Sequence, residues 1–143
     1  MTEEKVLLID DEEDFTRVLS ERFQARGLRV VTAESGVEAI QKVKEENFDA
    51  VILDMVMPEM DGIETLQSLL KQNPDLQIIL LTGYATVPKG IEAMKLGAMD
   101  FLEKPADIEK LMAQIKEAKT KKMLLVEKKM EKKLGDILKT KGW

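Results

Sequence analysis

Residues 50–62 read Ala50-Val51-Ile52-Leu53-Asp54-Met55-Val56-Met57-Pro58-Glu59-Met60-Asp61-Gly62. Four apolar residues end on an ionisable one, and a loop rich in Met, Pro and Asp follows. A buried strand that emerges at the edge of a sheet has this form. Three other apolar runs end in the same manner. Val6-Leu7-Leu8-Ile9 runs into Asp10 and Asp11, Ile78-Ile79-Leu80-Leu81 into Thr82, and Asp100-Phe101-Leu102-Glu103 into Lys104. Together the four runs deliver three carboxylates, a hydroxyl and an ammonium, which are groups suited to metal and phosphate chemistry.

Between these runs lie helical patterns. Asp14–Arg26 has Phe15, Val18, Leu19 and Phe23 on one face and Gly27 as its stop. Gly36–Glu46 carries Val37, Ile40 and Val43, and Gly62–Lys71 carries Ile63, Leu66, Leu69 and Leu70. Val87–Leu96 is the fourth helix, and a long fifth helix starts near Asp107. The strands are predicted at Lys5–Asp10, Leu28–Ala33, Ala50–Asp54, Gln77–Thr82 and Asp100–Glu103, with a turn at Asn73-Pro74-Asp75. Regular alternation of near-continuous apolar strands with helices predicts a doubly wound α/β fold, with a five-stranded parallel sheet covered by helices on both faces. In such sheets ligands bind beyond the carboxyl ends of the strands. Every polar terminus named above lies at a carboxyl end.

The chain has 143 residues, enough for one domain plus some extra chain, and 44% of them are hydrophobic. It has no cysteine and no histidine. That excludes disulfides, thiolate nucleophiles, Cys/His zinc sites, Ser-His-Asp catalysis and phosphorylation on histidine. Any metal is held by oxygens, which favours magnesium, calcium or manganese. No apolar run reaches the ~18 residues of a membrane span, and the acids of MTEEKVLLIDDEEDF interrupt any signal-peptide pattern. A cytoplasmic location is expected. The net charge of −5 is unevenly spread: residues 119–143 hold nine lysines against three acids, and the preceding 118 residues carry 24 acids against 13 bases. The body is acidic and the tail basic.

If the first and third strands are neighbours, Asp10, Asp11 and Asp54 converge. At an effective dielectric near 20, each close pair of carboxylates costs roughly 4 kcal/mol, and the repulsion would raise their pKa values. A divalent cation relieves this, and Lys104 adds positive charge. A carboxylate in such a setting can attack phosphorus and form an acyl phosphate, a reaction that depends on positioning and charge neutralisation. Asp54 is the candidate nucleophile, with Thr82 donating to a phosphoryl oxygen and Lys104 bearing another. Singly, each residue has an ordinary explanation: Asp10-Asp11 as a helix cap, Asp54 as a turn acceptor, Lys104 as a solvated lysine. These explanations do not account for four strand ends agreeing.

The stretches VLLIDDEEDF, VILDMVMPEMDG, LTGYAT and AMKLGAMDFLEKPAD, spanning about residues 4–118, resemble the response-regulator receiver (CheY-like) domain of two-component systems. LTGYAT and AMKLGAMDFLEKP look most like the NtrC-like, sigma-54-activator branch. The resemblance implies the flavodoxin-like strand order 2-1-3-4-5 and a His-Asp phosphorelay in which Asp54 is the phosphoacceptor. It implies Mg²⁺ (or Mn²⁺) bound directly by Asp11, Asp54 and the Val56 backbone carbonyl, with Asp10 completing the acidic pocket. Thr82 is the implied switch hydroxyl, Phe101 the aromatic switch and Lys104 the family's lysine, followed by a cis Lys104–Pro105 bond. Phosphorylation would draw Thr82 inward, let Phe101 rotate and reshape the face made by helix four, strand five and helix five. The implied partner is a sensor histidine kinase or a histidine phosphotransfer protein.

Val56 and Tyr84 lie two residues beyond Asp54 and Thr82, positions that in this family border the path of the hydrolytic water. Neither can orient water and Tyr84 is bulky, so slow loss of phosphate is expected. Pro88 and Gly90 suggest a fourth helix that is short or pliable at its start. The chain is divided into a receiver domain, 1–118, and a basic amphipathic helical extension or linker, 119–143. Met123, Val126, Met130, Leu134 and Ile137 recur at helical spacing, and Gly135 interrupts the pattern. The tail is a candidate dimer contact, as is the face of helices four and five. Without arginine or an interleaved aromatic, its lysines argue against direct nucleic-acid binding. A tail of 25 residues is too short for an ATPase or DNA-binding output domain, so the chain is a stand-alone regulator or a module cut from a longer sigma-54-dependent activator. A phosphohydrolase is disfavoured because Val56 stands where that class places a second acid. A nucleotide switch is disfavoured because there is no GxxxxGK[ST] loop.

Overall fold

A computed structural model of the chain describes residues 4–55, 62–83, 87–105 and 107–140. Ten elements alternate along it: β1 (Lys5–Ile9), α1 (Glu13–Ala25), β2 (Arg29–Ala33), α2 (Gly36–Glu45), β3 (Ala50–Asp54), α3 (Gly62–Gln72), β4 (Ile78–Thr82), α4 (Val87–Lys95), β5 (Asp100–Glu103) and α5 (Ile108–Thr140). The sheet is parallel with the order β2-β1-β3-β4-β5. Strand and helix limits agree with the sequence pattern to within a residue.

Two cores flank the sheet because successive side chains of a strand point to opposite faces. Leu7, Ile9, Val51, Leu53, Ile78 and Leu80 pack with Ala39, Leu66, Leu69 and Ala93 from α2, α3 and α4. Val6, Leu8, Ala50, Ile52, Ile79 and Leu81 pack with Leu19, Phe23, Leu111, Ile115 and Ala118 from α1 and α5. Two helix faces are rotated relative to the pattern in the sequence. Val18 and Val37 are 42% and 65% exposed, while the smaller Thr16 and Ala39 are buried. Close approach of a helix to a sheet favours the short side chain at the line of contact.

Gly27 ends α1 with φ +87°, its N–H donating to the Gln24 carbonyl and that of Leu28 to the Phe23 carbonyl. This is the left-handed cap for which glycine is suited. By contrast, Gly135 does not interrupt α5, which runs unbroken to Thr140. A single helical glycine costs only about 1 kcal/mol relative to alanine, and here no left-handed turn follows it.

Beyond Ala118 the helix passes the amino-terminal edge of the sheet. Lys122 donates to the Phe48 carbonyl at 3.0 Å and pairs with Asp49, and Lys129 pairs with Asp75. A groove of about 370 Å³ lies there, lined by Phe48, Leu76, Leu125 and Val126 among others. It is at the opposite end of the strands from the acidic cluster. Met123, Val126, Met130, Leu134 and Ile137 are each about half exposed. Among the described residues no helix is long and apolar enough to cross a membrane.

Candidate functional site

Pairing of β1 with β3 puts Ile9 opposite Leu53, so the residues that follow, Asp10 and Asp54, emerge side by side. Asp54 is still within its strand and 8% exposed; Asp10 is 1% exposed. Asp11 is exposed at the mouth. One carboxylate oxygen from each of the three lies within 4.8 Å of the others.

The helix-cap explanation of Asp10 fails. The cap position of α1 is Glu12, without a side-chain cap bond, and Asp10 Oδ1 instead accepts from the Glu12 N–H at 2.9 Å. Its other oxygen, Oδ2, is buried and accepts no hydrogen bond. The nearest charge is Lys104 Nζ at 3.5 Å, an ion-pair contact. Burial, opposed by the Glu12 amide and assisted by the charge of Asp54, pushes the Asp10 pKa up to about 6. An orphaned buried carboxylate oxygen beside two more carboxylates fits a hard divalent cation with oxygen ligands.

Lys104 reaches the pocket from the end of β5. Its Nζ donates to Asp54 Oδ2 at 3.2 Å and lies 4.6 Å from the centre of the Phe15 ring. Burial acts to lower its pKa, but the charges of Asp54 and Asp10 outweigh that and the pKa is raised. The Lys104 N–H donates to the Thr82 carbonyl at 2.7 Å and the Lys104–Pro105 bond is cis. Thr82 is fully buried, and its hydroxyl donates to the Leu102 carbonyl at 3.4 Å. Phe101, next to Leu102 in β5, packs partly buried against the core on the α4 side.

The pocket thus gathers Asp10, Asp11, Asp54 and Lys104, with Thr82 and Phe101 on the adjoining strands. Val56 and Tyr84 lie outside the described residues. The pattern of strand ends did not single out Phe15, which sits in the first turn of α1 and lends its ring face to Lys104. Nor did it single out Gly62 beyond a helix start. A Cβ at Gly62 would lie 2.5 Å from the Met55 Cα, and the Gly62 N–H donates to the Met55 carbonyl at 2.8 Å. Glycine lets α3 touch the chain one residue past Asp54, a need that the word MDG hints at only in retrospect.

The carboxyl edge of a five-stranded 2-1-3-4-5 sheet thus carries an acidic triad and a lysine. The chain belongs to the response regulator receiver domain family, whose family model it matches over residues 6–116. It is therefore a signalling switch of the two-component type. Among curated relatives, it is 40% identical over 113 residues to the transcriptional regulatory protein ZraR of Klebsiella oxytoca, covering 79% of this chain and 26% of that protein. It is 36% identical to the transcriptional regulatory protein GlrR of Escherichia coli K12, with the same coverage. The chain thus spans about a quarter of the length of these relatives. Among solved structures, a response regulator receiver domain protein from Clostridium thermocellum superposes with a TM-score of 0.82 at 35% identity, over 85% of this chain and 98% of that one. NtrX from Brucella abortus in complex with ADP gives 0.82 at 25% identity, over 88% of this chain and 29% of that one.

Proposed function

We propose that Asp54 is the phosphoacceptor of this receiver, taking a phosphoryl group from a histidine kinase or histidine phosphotransfer protein. The observation that carries this is the placement of Lys104 Nζ 3.2 Å from an oxygen of Asp54, beside two further carboxylates. A carboxylate oxygen of Asp54 bonds to phosphorus as the bond from phosphorus to the donor's imidazole nitrogen breaks, its electron pair leaving with the imidazole. Asp11, Asp54 and the Val56 carbonyl are assigned to Mg²⁺, or Mn²⁺ in its place, with Asp10 behind them. The ion supplies charge neutralisation for the transferring oxygens. Lys104 bears another of those oxygens and leaves its pairing with the bare carboxylate to do so.

Thr82 is assigned the switch, and Tyr84 is assigned to it with Phe101. The Thr82 hydroxyl turns from the Leu102 carbonyl to a phosphoryl oxygen, and Phe101 re-seats against α4. The α4–β5–α5 face is the surface that changes, in a two-state element biased by local charge. In this role the chain assists its own Mg²⁺-dependent phosphorylation and dephosphorylation without being an enzyme, and such phosphodonors place it in the cytoplasm. The boundary near residue 118 separates the receiver from its extension. Contact with a second copy is assigned either to that extension, through its half-exposed Met123, Val126, Met130, Leu134 and Ile137, or to the face of α4 and α5, where Ile91 and Met94 are exposed.

The test is incubation with Mg²⁺ and acetyl phosphate, followed by mass and sedimentation together. One phosphoryl group is gained by the native chain and none by Asp54→Asn; an equal gain in the variant would sink the assignment. A second proposal is supported by the relatives being named transcriptional regulatory proteins: the chain is the receiver module of a longer transcription activator. An open reading frame that continues past Trp143 into an ATPase-sized segment is its expected signature.

A further inference from the structure

Gly90 lies in the second turn of α4 and is buried against β4 and β5. A Cβ built on it would lie 3.2 Å from the Thr82 Cγ2 methyl, and 3.4 Å and 3.5 Å from Cδ2 and Cγ of the Phe101 ring. Three pieces of the switch (the end of β4, the aromatic of β5 and the helix above them) therefore meet at one glycine. The Thr82 hydroxyl donates to the Leu102 carbonyl at 3.4 Å, and in that rotamer the methyl is the group turned toward α4.

We propose that Gly90 is the positioning residue that seats the Thr82 methyl in the unphosphorylated state, its absent side chain forming the notch. The inference rests on the assignment of Thr82 as the switch hydroxyl. Threonine occupies staggered χ1 wells, with hydroxyl and methyl fixed relative to each other on Cβ. A hydroxyl that leaves Leu102 for a phosphoryl oxygen on Asp54 carries the methyl out of the notch in the same rotation. A side chain at position 90 crowds the methyl at its present seat and relaxes once it has moved. The ring of Phe101, at ordinary contact distance, feels the addition less. The signal then passes from β4 to α4 through this contact. Helix four carries its glycine here because the resting rotamer needs the space.

The experiment uses the full chain and beryllofluoride with Mg²⁺ as the probe. Gly90→Ala is expected to bind the probe roughly three- to ten-fold tighter than the native chain, because the alternative rotamer is already populated. Its Phe101 resonances, read by NMR before the probe is added, shift toward their positions in the probe-bound native chain. Thr82→Ser keeps the hydroxyl and removes the crowded methyl. In that background Gly90→Ala is expected to change neither affinity nor resonances. Unchanged affinity and Phe101 resonances in Gly90→Ala would overturn the inference. So would an effect that persists in full beside Thr82→Ser, since a simple gain in helix propensity predicts that. A native chain that does not bind the probe overturns instead the phosphoacceptor assignment beneath it, which the acetyl phosphate experiment reads separately.

Discussion

Asp10 carries the electrostatic tension of the pocket. One of its oxygens accepts an amide hydrogen bond and the other is buried with none, so its charged form is disfavoured and its pKa rises to about 6 from an ordinary 3.8. Between those values the folded chain binds a proton that the unfolded chain has lost. Stability is therefore greatest below about pH 4 as far as Asp10 is concerned, and falls as the pH rises toward 6, by on the order of 3 kcal/mol for this one group. Asp10→Asn should flatten that slope and leave the metal-free chain more stable at pH 7 than the native one, as measured by urea unfolding in EDTA; an unchanged slope would show that Asp10 is not the group. Added Mg²⁺ should raise the native melting temperature more at pH 7.5 than at pH 5, because the negative charge of Asp10 behind the ion is present only above about pH 6. The slow phosphate loss argued from Val56 and Tyr84 belongs to this scale too. It predicts a clearly shorter phosphate half-life in Tyr84→Ala.

Elements are set in place here by close approach as much as by apolar area. α3 begins where Gly62 touches the Met55 backbone, and an added Cβ would sit 2.5 Å from Met55 Cα. No flexible side chain is available to yield. Gly62→Ala is expected to lower the thermal midpoint by several degrees, for a cost of about 1–3 kcal/mol, and to weaken Mg²⁺ binding by displacing the segment next to Asp54. A variant that melts and binds like the native chain would show that α3 can slide without penalty. Helical periodicity named the buried faces of α1 and α2 but put Val18 and Val37 on them. Hydrophobicity reports what can be buried, and helix-to-sheet distance decides which side chain fits, so Thr16 and Ala39 took those places.

As a whole molecule, the chain is an acidic body with a basic helical arm. The arm is one continuous helix with the last element of the body, tied to the amino-terminal edge of the sheet by Lys122 and Lys129. Ion pairs at the surface contribute little, ~0–1 kcal/mol each, and even Lys122–Asp49, the more buried of the two, keeps both side chains in reach of water. Removal of residues 119–143 is therefore expected to shift the thermal midpoint by only a few degrees while abolishing any self-association detected by sedimentation in the presence of beryllofluoride. A truncated body that fails to fold would refute the boundary near residue 118. The number and type of strands, the parallel sheet and the four polar strand ends were legible in the sequence, because β-strand burial writes a continuous apolar run and an ionisable residue can end it only at an edge. The resemblance to receivers then supplied the strand order. Tertiary structure alone decided how the groups are shared: that Lys104 spans Asp54 and Asp10 over the ring of Phe15, that one Asp10 oxygen is orphaned, that Gly62 is glycine for want of space, and that Gly90 faces the Thr82 methyl and the Phe101 ring. Those facts depend on distances between elements far apart in the chain, and residue order records such distances only where a side chain is missing.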